Sequence, residues 1–352
     1  MNDIKYYLAL SHFKKGDWKT AKEQIEEFIA SLPPSHEFLS EAHYILGLSE
    51  FNLRQYGKAL KIFQKIAKSY SEQTSILKNS EINIAKCLYK LGNIKESLKK
   101  FNEIIDRYPQ TQITQESLLW LGDHYLQSSD FENAATYYLQ FIENFPGSDK
   151  LPSAYFQLGQ AYQGQSRYND AVNILKKIDD TTDPTLYAKA RLAIAEIFSK
   201  EFDQESAIQT YEKILSTSPE FSRDALVKIA DVHKKEDDHL KAIEAYQKAL
   251  ASDKGRSRIK NAELQFAIGD TFELLNKKDR AVETYFKIPY LYAKETAWIV
   301  KAYLRIARIF EDQEKWEKAR TIYKKIIDLR TDERKFAEER LDWIRDNIIE
   351  IK

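Results

Sequence analysis

The sequence predicts an all-α chain, a solenoid of about nine helical hairpins followed by a C-terminal capping helix. Three observations carry that prediction. Glycine and proline number only 10 and 8 in 352 residues, against usual shares of ~7% and ~5%, and the stretches between them are rich in Lys, Glu, Ala, Leu, Ile and Tyr. The chain repeats itself about every 37 residues, a feature to be sought before single helices because it decides the whole fold. Within each period, apolar residues recur twice at three- and four-residue steps, the mark of two amphipathic helices.

The repeat is read from one anchor column, Ala21, Ala59, Ser97, Ala134, Ala171, Ala207, Ala242, Ala281 and Ala319. The spacings are 38, 38, 37, 37, 36, 35, 39 and 38. Four residues after each anchor stands a large side chain: Ile25, Phe63, Phe101, Tyr138, Leu175, Tyr211, Tyr246, Tyr285 and Tyr323. Twelve before it stands a small one: Ala9, Gly47, Ala85, Gly122, Gly159, Ala195, Ala230, Gly269 and Ala307. An aliphatic directly precedes each of these, from Leu8 and Leu46 to Ile306. Small residues at fixed places on both helices are what a close helix crossing requires, because a large side chain there forces the backbones apart.

The connections follow from local chemistry. Lys15-Gly16-Asp17, Leu91-Gly92-Asn93 and Ser128-Ser129-Asp130 are turns within hairpins, where Gly closes one helix and Asp or Asn caps the next. Pro33, Pro109, Pro146 and Pro219 stop the second helices. Pro289 falls inside the second helix of the eighth unit, which is expected to end near Ile288 or kink there. Residues 335–351 carry Phe336, Leu341, Trp343, Ile344, Ile348 and Ile349 among many charges. They read as a helix capping the last unit's apolar face, or equally as a tenth repeat cut short. The domain reading is a repeat array over 2–331 and a cap over 332–352.

Leu118-x-x-Leu121-Gly122-x-x-Tyr125, with Ala134, Tyr138 and Pro146, resembles the tetratricopeptide repeat (TPR) signature, and Tyr155-x-x-Leu158-Gly159-x-x-Tyr162 with Ala171 is a second copy. The resemblance covers residues 2–331. It implies a right-handed superhelical solenoid whose inner face, lined by the first helices, binds peptide or protein segments. The period departs from the family's 34 residues by nearly one helical turn, expected between repeats. Units of this length ending in Tyr108-Pro109 or Phe145-Pro146 also look like bacterial cell-envelope TPR proteins.

No catalytic pattern is present: no Gly-rich phosphate loop, no His-Glu-x-x-His and no Gly-x-Ser-x-Gly. His233 and His239 are six apart, off a shared helix face, and Asp179-Asp180 and Asp237-Asp238 read as turn acids. Neither a cofactor nor a metal is expected. Cys87 is the sole cysteine and sits in an apolar helical stretch, where a buried inert thiol is expected. No apolar run approaches the ~18 residues of a membrane span. With 54 basic and 54 acidic residues the chain lacks the cationic surplus of a general nucleic-acid binder. Met1 is followed at once by a helical pattern, with no signal peptide or lipid-anchor cysteine. Read from its true start the protein is expected in the cytoplasm; read as a segment of an exported chain, in the periplasm.

The expected function is a non-enzymatic protein–protein interaction scaffold holding a protein or peptide segment in a groove. The alternatives are a periplasmic outer-membrane or envelope assembly factor, and a substrate-presenting accessory domain of a larger enzyme. In the same register, positions eight and eleven before each anchor point inward, and position nine is core. The first runs Phe13, Phe51, Tyr89, Leu126, then Gln163, Ser199, Lys234, Glu273, Glu311. The second runs Leu10, Leu48, Lys86, Asp123, Gln160, Glu196, Asp231, Asp270, Arg308. The apolar early entries form a candidate contact patch, or else rings buried against one another; Trp120 is a candidate anchor beside them. The acids Asp123, Glu196, Asp231 and Asp270 are candidates for attracting a basic segment. Charge supports the division: residues 1–115 hold 17 basic and 13 acidic side chains, 116–220 hold 8 and 16, and 221–352 hold 29 and 25. The Lys/Asn/Arg clamp that some TPR proteins close on chaperone C-termini is missing from these positions.

Overall fold

The computed structural model describes residues 2–33, 36–69, 74–181, 183–201, 203–252 and 258–348, and their regular structure is entirely helical. The chain divides into two compact units, residues 1–177 and 178–352. The first contains α1 (Asn2–Lys14), α2 (Trp18–Ala30), α3 (Leu39–Asn52), α4 (Tyr56–Ser69), α5 (Thr74–Lys90), α6 (Ile94–Arg107), α7 (Gln112–Gln127), α8 (Phe131–Asn144), α9 (Leu151–Gly164) and α10 (Tyr168–Leu175). The second contains α11 (Pro184–Lys200), α12 (Gln204–Thr217), α13 (Ser222–Lys235), α14 (His239–Ser252), α15 (Arg258–Leu274), α16 (Lys278–Leu291), α17 (Thr296–Asp312), α18 (Trp316–Asp328) and α19 (Arg334–Asn347). Within each unit a helix packs chiefly on its neighbours in sequence.

The turn inside a hairpin has one geometry. The residue five before the anchor is left-handed at Gly16, Arg54, Gly92, Ser129, Ser166, Asp237, Asn276 and Glu314, with φ between 55 and 84°. Its counterpart in the sixth hairpin, 202, lies outside the described residues. The next amide donates to the carbonyl five residues back, as from Asp17 to His12 (3.0 Å), Gln55 to Glu50 (2.8 Å), Asp203 to Phe198 (2.9 Å) and Lys315 to Phe310 (2.8 Å). This bond satisfies a carbonyl that the helix end would orphan. Asp17 and Asp130 then cap the second helix, accepting from the amides of Thr20 and Asn133; Asn93 makes no such bond. Because this turn is constant in length, the variation in spacing lies outside it.

The crossing follows the register. A Cβ placed on Gly47, Gly122, Gly159 or Gly269 would stand 2.5–2.7 Å from the large side chain of its own hairpin, Phe63, Tyr138, Leu175 or Tyr285. The small residue is thus the seat of the large side chain. Seven residues after each anchor a further apolar column, from Phe28 and Ile66 to Ile288 and Ile326, is fully buried and joins the clusters that bridge hairpins, Phe28 with Ala42 and Phe141 with Ala154. Burying each such side chain stabilises by about 1.5–3 kcal/mol.

The helices α2, α6, α8 and α12 end two or three residues before Pro33, Pro109, Pro146 and Pro219. Pro289 is expected to end α16 near Ile288 or kink it; α16 runs three residues past Ile288 to Leu291, closed by the Tyr292 amide on the Ile288 carbonyl. Proline removes its own N–H and its ring crowds the carbonyl four residues back, that of Tyr285; the burial of Tyr285 and Ile288, both fully enclosed, offsets that cost. In the last helix Ala337 and Ile344 are buried while Phe336 and Trp343 stay 48% and 42% exposed. Ile349 and Ile351 lie outside the described residues.

Candidate functional site

In the first unit the apolar residues eight before the anchors are half-buried, each resting on a neighbour with part of its surface open. Phe13 meets Trp18 edge to face at 5.0 Å, and Phe51 meets Tyr56 likewise at 5.2 Å. Both partners lie three before the anchor, across the hairpin turn. Leu10 and Leu48 pack beside them on the cores of their own hairpins. Tyr89 and Trp120 come together, ring centroids 4.7 Å apart and perpendicular; Trp120 is stacked on Phe101 at 4.1 Å and on His124 at 5.6 Å. Leu126 is half-buried on the same helix, α7. The rings are therefore both packing elements and a partly open apolar surface.

The acids have partners that their positions in the sequence did not disclose. Asp123 accepts from the Tyr138 hydroxyl at 2.5 Å, and Asp231 from that of Tyr246. Glu273 accepts from Tyr285 (2.7 Å) and is forked by Arg305 (2.9 and 2.8 Å); Glu311 accepts from Tyr323 (3.0 Å) and Arg340. Asp270 pairs with Lys234 and stands 3.6 Å from Arg305. Glu196 is exposed and pairs with Lys228 at 2.9 Å. A carboxylate therefore stands on the first helix where the large residue of the hairpin is tyrosine, and none stands at either inward position where it is Ile25, Phe63, Phe101 or Leu175. A buried hydroxyl needs an acceptor. That rule, applied across the twelve to fifteen residues between tyrosine and acid, was the signal available in the sequence. Burial holds Asp123 above the usual carboxylate range while Tyr138 pulls it down, and burial followed by the neighbouring acids raises the tyrosines.

Position nine, expected to be core, is so in only part of the array: Glu50, 3% exposed and held by Lys22 at 2.9 Å, is buried, as are Tyr162, Phe272 and Phe310, whereas His12, Leu88, Tyr125, Phe198 and His233 are half-buried. The Cys87 thiol is fully buried, its pKa pushed up to about 12 by desolvation, which removes the thiolate that reactivity needs. Among the described residues no three His, Cys, Asp or Glu side chains are gathered as a metal site, and no helix is long and apolar enough to cross a membrane. Two of the candidate acids, Glu196 and Asp231, line one cleft of about 680 Å³ in the second unit, with Tyr211, Tyr246 and the lysines 200, 228, 234 and 235.

Hairpins closed by one turn and seated ring-on-small-residue define a tandem helical-repeat protein. The tetratricopeptide repeat models match residues 6–73 and 82–149, and residues 152–180 and 188–221, while the model of the soluble NSF attachment protein family (SNAP) matches 215–336. The chain belongs to the tetratricopeptide repeat proteins. A solved structure similar to it is the C-terminal part of a TPR repeat-containing protein from Cytophaga hutchinsonii, 18% identical, covering 72% of this chain and 96% of that one with a TM-score of 0.57. Others are a tetratricopeptide repeat protein from Parabacteroides merdae (16%, 78% and 98%, 0.45) and a MamA protein (24%, 53% and 95%, 0.42). No curated protein matches the chain.

Proposed function

We propose that this TPR protein is a non-catalytic scaffold that holds an extended segment of another protein on the first-helix face, with the rings of the first unit as its apolar anchors. TPR repeats support protein interaction as the general role. The observation that carries the finer reading is the row Phe13, Phe51, Tyr89 and Leu126: four consecutive hairpins present an apolar side chain at a position that the remaining hairpins fill with Gln163, Ser199, Lys234, Glu273 and Glu311. Stacking of hairpins does not require rings there, since the later hairpins stack without them. Large, half-buried aromatics carry much of the binding energy in protein interfaces.

Peptides selected from a random display library on the 352-residue chain test this. Phe51→Ser with Tyr89→Ser is expected to weaken the selected peptides at least tenfold at a temperature where circular dichroism shows the variant folded. Unchanged affinity in the folded double variant sinks the reading.

A further inference from the structure

The second helices of the hairpins share a charge pattern that one of them breaks. α2, α6, α8, α10, α12, α14, α16 and α18 each hold at least one acid. Neighbours one turn apart on them are joined by opposite charges, as in Lys22–Glu26, Lys100–Glu103, Lys248–Glu244 and Arg320–Glu317. α4 holds Lys58, Lys61, Lys65 and Lys68 and no acid, and no Asp or Glu occurs between Glu50 and Glu72. The four lysines are exposed, on the side of α4 away from its buried Ala59, Phe63 and Ile66; Arg54 is exposed in the turn that leads into the helix. None of the five makes an ion pair among the described residues.

The fold gains nothing from this arrangement. Steps of three and four residues place the lysines next to one another on one face, where like charges destabilise a helix. Lys58 also lies in the first turn, where the helix dipole favours an acid. The row is ~15 Å long, and its flanks decide what can lie on it. The second helices of the adjoining hairpins expose acids, Glu23, Glu26 and Glu27 on α2 and Glu96 and Asp106 on α6. An anionic surface broad enough to cover three hairpins, a lipid bilayer or a nucleic-acid duplex, would meet those acids. A single acidic chain laid along α4 meets only the row and removes the repulsion within it.

We propose that α4 is a docking surface for an acidic segment of a partner protein, whose carboxylates neutralise Lys58, Lys61, Lys65 and Lys68. The surface belongs to a second helix, so it stands independently of any binding to the first-helix rings. Attraction of this kind acts strongly on the rate of association and weakens as salt screens it.

A fluorescein-labelled peptide of alternating glutamate and serine, with glutamine–serine and lysine–serine counterparts, is titrated into the 352-residue chain by anisotropy. The glutamate peptide is expected to bind best, its affinity falling as salt rises. Lys58→Glu with Lys65→Glu should weaken it at least about tenfold. The melting temperature of that variant should rise, because every like-charge neighbour in the row becomes an opposite one. Lys95→Glu with Lys99→Glu on α6 makes the same change in net charge and should leave the affinity within about twofold. Equal loss in the two double variants would reduce the effect to net charge and overturn the site. Loss with Phe51→Ser and Tyr89→Ser, but not with the α4 reversals, would put the peptide on the first-helix face and overturn it too. Phosphatidylserine vesicles or a DNA duplex binding through Lys58 and Lys65 while the glutamate peptide does not would overturn the assigned occupant.

Discussion

Asp123 and Tyr138 show what a single pair contributes. The tyrosine ring fills the space left by Gly122, and its hydroxyl must then find an acceptor inside the crossing, which Asp123 supplies. Tyr138→Phe leaves a half-buried carboxylate without its donor and is expected to cost about 1–3 kcal/mol, read as a lower urea midpoint. Asp123→Asn keeps an acceptor and removes the desolvated charge. Burial places the folded-state value of Asp123 above the ordinary carboxylate one, so the folded chain binds the proton more tightly and stability from this group falls as pH rises from about 4 through the raised value. Urea titrations across that range should show the wild-type chain losing stability relative to Asp123→Asn as pH rises. A constant difference would remove the desolvation argument. The inward acids were visible in the sequence as a stripe, but their pairing was not, because it joins side chains on two helices and depends on which hairpins carry tyrosine.

At the scale of the element, the hairpin is set by two backbone demands that leave different traces in the sequence. The left-handed turn residue is glycine at Gly16 and Gly92 but Arg54, Ser129, Ser166, Asp237, Asn276 and Glu314 elsewhere, so glycine spacing alone locates only some turns. A side chain in that conformation is disfavoured by about 1–2 kcal/mol. Glu314→Gly should therefore stabilise by about 0.5–1 kcal/mol after the flexibility that glycine adds to the unfolded chain, and Gly92→Ala, with nothing within 4 Å of its Cβ, should destabilise through the backbone alone. The crossing leaves a firmer trace, since only a small residue can face a fully buried ring; the register of every hairpin was legible from it. Gly122→Leu should cost at least about 1–3 kcal/mol by overpacking Tyr138. Denaturation midpoints that leave these three variants level with the parent would contradict both demands. Of the two outcomes expected at Pro289, an end near Ile288 or a kink, the end does not occur at Ile288, because how far a helix runs past a proline depends on the packing of neighbours such as Tyr285 and Ile288 as well as on the residue itself.

For the whole molecule the relevant fact is that helices pack on their sequence neighbours within each of two compact units. Stability in such an array is a sum of hairpin terms and nearest-neighbour interfaces, so a local defect has a limited range. Gly122 and Gly269 are equivalent crossings, facing Tyr138 and Tyr285, and lie in different units with no shared partner. Hydrogen exchange in the Gly122→Leu chain should lose protection in α7 and α8 and less in the adjoining α6 and α9, while α13 to α18 keep theirs. Gly269→Leu should give the converse, loss in α15 and α16 with α1 to α6 unaffected. The free-energy costs of the two substitutions should then add within about 0.5 kcal/mol in the double variant. Uniform loss of protection along the chain from either change would mean that the units unfold as one cooperative body, and the nearest-neighbour description would fail at the boundary near residue 177.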